Sequence, residues 1–360
     1  MSSPMLRSYW VSPLLLLTVV GMIAGCAAPV TKVGVNVLEP AKSSEATRIR
    51  RVAVMQFEAK DRVDVTGDIE TMLAGILVDE RRYFEVVERR QLNALLGELR
   101  LGERGLLENS TVSQVGKMLG ANGVYLGKVT SASWSDQRSN ERRSVCSQRE
   151  IKRDKKGKSY DAGCARWRET SASCTTRIAT FEFLPKLVSI ETGTIVYSRA
   201  HSGEVTSKSC REPDTGASAP ITSGEQLLLN AKMVAMDSFR RDVAPMATAR
   251  TLDVLGPGER IGAPQMRERF NNASAFAKEG RLDRACEMWR DVAVSEQNSP
   301  ELFYNLGVCA EVTGDLESAS NFYARADRLL TQPNKSISAA LVRVQADQAS
   351  RAKLRTQLQR

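Results

Sequence analysis

The stretch CTTRIATFEFLPKLVSIETGTIVYSRAHSGEVTSKSC, residues 174–210, decides the fold class. From Thr175 to Ile190 and from Thr194 to Thr206, β-branched and aromatic residues recur as they do in strands. Between them Glu191-Thr192-Gly193 is a three-residue hairpin loop, with glycine where a left-handed residue is required. Setting Ile190 opposite Thr194 makes paired residue numbers sum to 384, and Cys174 with Cys210 obeys the same sum. In an unbulged register those two cysteines face each other at a separation that a disulfide spans. Pro185 has no N–H to give a ladder and marks a bulge or an edge.

Cys146 and Cys164 lie in the polar stretch before this hairpin. Four cysteines allow three connectivities; with Cys174 and Cys210 joined, Cys146 is left for Cys164. Free buried thiols are the alternative. Neither CxxC spacing nor a neighbouring histidine supports zinc, so no metal and no cofactor are expected.

Outward toward the N-terminus, Arg51 to Phe57 reads as a first strand, and Gly67 to Arg81 has helical spacing. Tyr83 to Val87 is a short strand, and Glu88 opens a helix carrying Leu92, Leu95, Leu96 and Leu99. Another helix starts at Ser110 and closes at Gly120, and Ala121 to Thr130 is a strand. After the hairpin, Ser223 caps a helix with Leu227, Ala231, Ala235 and Phe239 on its inner face. This order predicts an α+β domain with a mixed sheet over residues 50–245, including a basic, Cys-containing excursion over 131–176.

Disulfides require an oxidising compartment, and the first residues supply a route to one. Arg7 precedes an uncharged apolar run, Leu14 to Ile23, too short to span a bilayer and fitted to a secretory signal over residues 1–25. The run ends Ile23-Ala24-Gly25-Cys26, a lipobox, so Cys26 is the expected lipidation site. Ala27 stands where an aspartate would retain the protein in the inner membrane, which points to the periplasmic face of the outer membrane. Residues 26–49, with Pro29 and Pro40, read as a tether. The formal charge of +9 would suggest nucleic acid in a cytosolic protein; for an exported chain it suits anionic envelope surfaces, and no nucleic-acid partner is expected.

Beyond a glycine- and proline-rich linker (246–264), the chain repeats. Gly280, Ala285 and Trp289 recur as Gly314, Ala319 and Tyr323, each 34 residues on, the period of tetratricopeptide (TPR) units. Leu306, Gly307, Ala319 and Tyr323 hold motif positions in the second unit, while Ala310 stands where an aromatic is usual. Two TPR-like repeats over 265–333 are therefore expected, with a capping helix over 334–360 because stacked units need a closed end. Cys286 and Cys309 read as small core residues.

Chemistry for catalysis is missing. His201 is the single histidine and sits in a strand, no Gly-x-Ser-x-Gly or Ser-x-x-Lys accompanies it, and Lys152 stands where a P-loop before Gly157-Lys158-Ser159 needs glycine. A non-enzyme with no catalytic residues is expected.

The segments Arg51-Val52-Ala53-Val54-Met55-Gln56-Phe57, Tyr83-Phe84-Glu85-Val86-Val87-Glu88-Arg89, Gly116 to Val129 and Val188 to Ile195 resemble the curli production assembly/transport lipoproteins, the CsgG family. That resemblance implies an outer-membrane lipoprotein that assembles or exports a surface polymer, in the best-known members as a ring-shaped pore. The pore-forming members insert hairpins into the membrane. Here the corresponding stretches are Trp134 to Ser173, with eleven Arg and Lys, and Ser202 to Ser223, rich in Ser, Gly, Pro and charge. Neither alternates as membrane strands do, so a stapled periplasmic excursion is expected.

The sequence thus predicts a periplasmic lipoprotein working by contact with proteins of an envelope assembly or secretion system, held to the membrane by its lipid, with a homo-oligomer possible. Two other readings stand beside it: a regulator of cell-wall synthesis that activates penicillin-binding proteins, and an oligomeric secretion channel.

Overall fold

The computed structural model describes residues 31–60, 63–88 and 109–359. The predicted signal segment, Cys26 and the helix carrying Leu92 to Leu99 lie outside the described residues. The described residues divide into two compact units, one drawn from 35–250 with 345–359, the other from 31–34 with 251–344.

In the first unit, β2 (Arg51–Val54) pairs in parallel with β5 (Glu85–Val86) on one side and β6 (Gly123–Arg153) on the other. Strand β6 is antiparallel to β7 (Ser159–Ser189), and β7 carries both β8 (Ile195–Ser198) and β9 (His201–Cys210) along its other edge. Period two assigns β2 to two cores. Val52 and Val54 join Ile69, Leu73, Phe181, Phe183, Leu187 and Phe239, while Ala53 and Met55 join Val115, Val124, Val188 and Ile190. Helices α1 (Thr66–Ala74) and α3 (Gly224–Val243) therefore cover one face, and α2 (Asn109–Met118) covers the other. A Cβ on Gly203 would sit 2.0 Å from the carbonyl oxygen of Ala231, so glycine lets α3 lie directly on β9. Ser223 caps α3 by accepting from the Gln226 N–H.

Several expectations are corrected. The tether contains a strand, β1 (Thr31–Glu39), and a 3-10 turn at Ala46–Arg48. Strand β10 (Met246–Val254) occupies part of the expected linker, and β1 and β10 form a two-stranded sheet. Helix α1 stops at Ala74, and its continuation to Arg81 is replaced by a tight hairpin of β3 (Leu77–Val78) and β4 (Arg81–Arg82). The strand expected over Thr194 to Thr206 is broken at Arg199-Ala200. On β7, pairing stops at Lys186 with β8 and resumes at Phe183 with β9, so Pro185, which cannot donate, lies inside the gap.

The largest correction concerns residues 131–176. The excursion is a continuous two-stranded ribbon interrupted by register shifts, with β6 and β7 each 31 residues long and paired from Gly123↔Ser189 to Arg153↔Ser159. At about 3.3 Å per residue, the portion beyond Trp134 reaches roughly 60 Å. Its turn is built by Asp154, whose carboxylate accepts from the N–H groups of Lys156 and Lys158, both at 2.8 Å, with Gly157 at φ +78°.

The second unit is helical. Helices α4 (Pro264–Lys278), α5 (Leu282–Ser295), α6 (Pro300–Val312) and α7 (Leu316–Arg328) pack each on the next, and α8 (Lys335–Leu358) follows. Phe270, Trp289, Leu302, Leu306, Tyr323, Ile337 and Val344 are buried.

Candidate functional site

The stapled ribbon is the feature that separates this chain from a plain α+β domain. Its root is locked by Arg177, whose Nε and Nη2 donate to the Asp136 carboxylate at 2.7 and 2.9 Å and whose Nη1 donates to the Thr222 carbonyl at 3.0 Å. The same guanidinium lies 4.8 Å from the ring centre of Trp134, a cation–π contact. Trp134 in turn fits against Gly224, where a Cβ would come within 2.1 Å of the indole.

Beyond this root, two disulfides cross the ladder. Cys174 faces Cys210 across β7 and β9, in a register whose paired numbers sum to 384 throughout, with the Cα atoms 4.0 Å apart. Cys146 joins Cys164, Cα–Cα 5.6 Å, across a run of register shifts between Cys146 and Ile151. Glu141 lies beside Cys174 and Cys210; with both sulfurs in the disulfide, no thiolate remains there as a metal ligand.

Both faces of the distal ribbon are polar. Between Trp134 and Ser173 eleven Lys and Arg stand against six Asp and Glu. Among them Trp167, Tyr160 and Ile151 project into solvent, 63%, 50% and 62% exposed. A lipid-facing strand needs an apolar side on every second residue; this ribbon has isolated apolar groups on a basic arm.

His201 is a core residue. Its ring is 2% exposed and packs against Phe183 and Phe239, with centroids 5.8 and 5.5 Å away. Nδ1 lies 3.0 Å from the Ser238 hydroxyl, and Nε2 lies 2.6 Å from the Tyr197 hydroxyl, which donates to Asp242 at 3.1 Å. Arg199 and Lys42 bring positive charge to the same carboxylate. Burial pushes the imidazole below its ordinary 6.5, against the opposing pull of Asp242. Serine, histidine and aspartate meet here as they do in hydrolases, but the imidazole is enclosed between aromatic rings and fastens β8, β9 and α3 together.

In the helical unit, Gly280 and Gly314 turn the chain at φ +79° and +78° after α4 and α6. Ala285, Trp289, Ala319 and Tyr323 have no exposed surface, and Leu306 is buried. A Cβ on Gly307 would meet the Tyr323 ring at 2.4 Å, so the small residue sets the α6–α7 approach. Cys286 and Cys309, expected as separate core residues, are joined in a disulfide between α5 and α6. The helix pairing brings their Cα atoms to 5.8 Å, within bridging range. Glu311 accepts from Arg343 through both carboxylate oxygens at 2.8 and 2.9 Å and from the Tyr323 hydroxyl at 2.7 Å. Arg343 thereby fastens α8 to α6.

A mixed sheet with helices on both faces and a long hairpin, followed by helical hairpins, defines an α+β chain with a helical-repeat extension. The model of the curli production assembly/transport component CsgG matches residues 26–213, just over half of the chain, and the chain belongs to that family. A domain of unknown function, DUF6340, matches residues 271–353. No curated protein matches. Among solved structures, the LpoB C-terminal domain from Salmonella enterica is 13% identical, with TM-score 0.25, covering 42% of this chain and 81% of that one. Lipoprotein GNA1162 from Neisseria meningitidis is 11% identical, with TM-score 0.27 and coverage of 53% and 97%. A PelC dodecamer from Paraburkholderia phytofirmans is 13% identical, with TM-score 0.21 and coverage of 49% and 81%. All three scores are too low to carry a structural inference. Among the described residues no helix is long and apolar enough to cross a membrane.

Proposed function

We propose that the chain is a lipoprotein, acylated at Cys26 and held on the periplasmic face of the outer membrane, that acts without catalysis as an assembly or secretion factor for a surface structure. Membership in the CsgG family over residues 26–213 carries this reading. Contact with partner proteins is its mode of action. The arm offers Trp167 and Tyr160, exposed among cations, and exposed aromatic residues with neighbouring arginine favour protein contact. Helices α4 to α7 act as two TPR-like units whose stacked hairpins present a second docking surface. Three structural disulfides agree with work in an oxidising compartment.

The test is photo-crosslinking in intact cells from a photoreactive residue at Trp167 and another at exposed Phe276 on α4, with mass spectrometry of the adducts and of Cys26. A diacylated Cys26 and adducts to components of one secretion or assembly system are expected. Adducts to a murein synthase would replace this reading with the cell-wall regulator, and ion conductance by the purified protein in planar bilayers would replace it with the channel. An unmodified cytosolic chain would overturn all three.

A further inference from the structure

A cleft of about 1020 Å³ opens in the first unit, away from the ribbon, between the 3-10 turn, the β3–β4 hairpin, β5 and the last turns of α8. Its walls bring together Arg48, Arg50, Arg81, Arg82 and Lys353. Glu85 is the carboxylate on the wall, and Arg51 donates to it at 3.0 Å. Asp79 belongs to a smaller adjoining recess of about 360 Å³ that shares Arg50, Arg81 and Arg82. Arg48 meets Glu45 at 3.1 Å on the surface, whereas Arg81 and Arg82 form no ion pair among the described residues. The cleft therefore holds a surplus of cations.

Two further observations point the same way. Tyr83 lines the cleft and is 6% exposed, with its hydroxyl beside Arg50 and Thr47 at the wall. Arg50 lies over the Tyr83 ring at 3.6 Å, which fixes both groups at the wall. The turn that delivers Arg81 and Arg82 is also unusual. Asp79 and Glu80, at φ 49° and 62°, place two consecutive non-glycine residues in the left-handed region. Such a two-residue turn ordinarily takes Asn-Gly, and here neither left-handed position is glycine. Strain of this kind is kept where the geometry of the residues it presents has a use.

We propose that this cleft binds a phosphate-bearing anion through Arg81, Arg82, Arg48 and Arg50, with the Tyr83 hydroxyl as an added donor. Several guanidinium forks suit phosphate, which offers more charge and more acceptor oxygens than a single carboxylate. A free phosphate ester and a lipid headgroup present the same chemistry.

The test uses the full chain purified in a non-ionic detergent. Calorimetric titration with sodium pyrophosphate at low ionic strength is expected to show saturable one-to-one binding. Arg81→Ala/Arg82→Ala should weaken it at least about tenfold, or about 1.4 kcal/mol, and Tyr83→Phe should weaken it less. Lys155→Ala/Lys156→Ala on the ribbon turn should leave it unchanged. Both arginines are exposed, and thermal melts verify that the variants fold. Titration with short-chain phosphatidylglycerol and phosphatidylcholine, kept below micelle-forming concentration so that the Cys26 acyl group plays no part, separates the sources: saturable binding of the first alone, lost in the arginine double variant, assigns a lipid headgroup. Full affinity in the double variant would overturn the proposal. So would citrate binding as tightly as pyrophosphate, or no saturable binding to either phosphate probe.

Discussion

The two halves of the β6–β7 ladder share one hydrogen-bonding pattern and are held by different forces. Near the sheet, Val124, Tyr125 and Val129 oppose Val188, Leu187 and Phe183, all of them buried. Slipping that register by one residue would turn each apolar group to the wrong face, so burial fixes the pairing. Past Trp134, Arg138 opposes Thr175, Arg142 opposes Ser171 and Ser144 opposes Glu169, and apart from Val145, Ala172 and Cys174 the side chains stand mostly in water. Polar strands of this kind specify register weakly. The arm takes its register from covalent links and from the Arg177 lock at its root. Burial sets pairing where a core exists, and cross-links set it where none does.

The largest expected break in that comparison is at the core. Phe239→Ala removes a ring that touches Tyr125, Phe183, Tyr197 and His201. It should destabilise the whole first unit by about 3–5 kcal/mol, seen as a lower denaturation midpoint. Cys146→Ala/Cys164→Ala should cost about 3 kcal/mol in the arm alone. Amide exchange should quicken from Val145 to Trp167 while the protection of Val124 and Val188 holds, and equal loss in both halves would refute the division. Acid should strike the core half. The His201 imidazole is held below 6.5 in the folded state, so the unfolded chain takes up the proton first and binds more protons. Stability should fall as pH drops from about 6.5 toward the lowered folded value and stay flat above it as far as this group is concerned. His201→Gln should remove that slope. The smallest effect is at the tip, where Gly157→Ala forces a side chain into φ +78°. It should cost about 1 kcal/mol, confined to exchange rates around Asp154.

The same division explains what could be read from the residues. The Cys174–Cys210 register was legible because β7 and β9 pair without a bulge and keep the sum of 384, although beside the loop a register shift between Leu187 and Val188 sets Val188 opposite Ile195 and breaks the expected count there. The rest of the arm was hidden, since its strands carry no period-two hydrophobicity and bulges near Cys146 defeat simple counting. Val33, Val35 and Val37 did alternate in β1, but the prolines on either side favoured reading a tether. At the basic cleft, Leu77 continued the helical spacing of α1, and Asp79-Glu80 lacks the Asn-Gly signature of a two-residue turn. That masked the hairpin presenting Arg81 and Arg82. Cys286 and Cys309 lie on different helices, and only the packing of α5 on α6 brings them together.

An arm with no apolar interior owes its shape to electron transfer. Where thiols stay reduced, the sheet and helices would still close on their cores, while the projection would be left without its covalent ties. The oxidation state of four sulfur atoms then determines whether a finished body also carries a finished reach, so a reduced copy would be folded and yet unequipped.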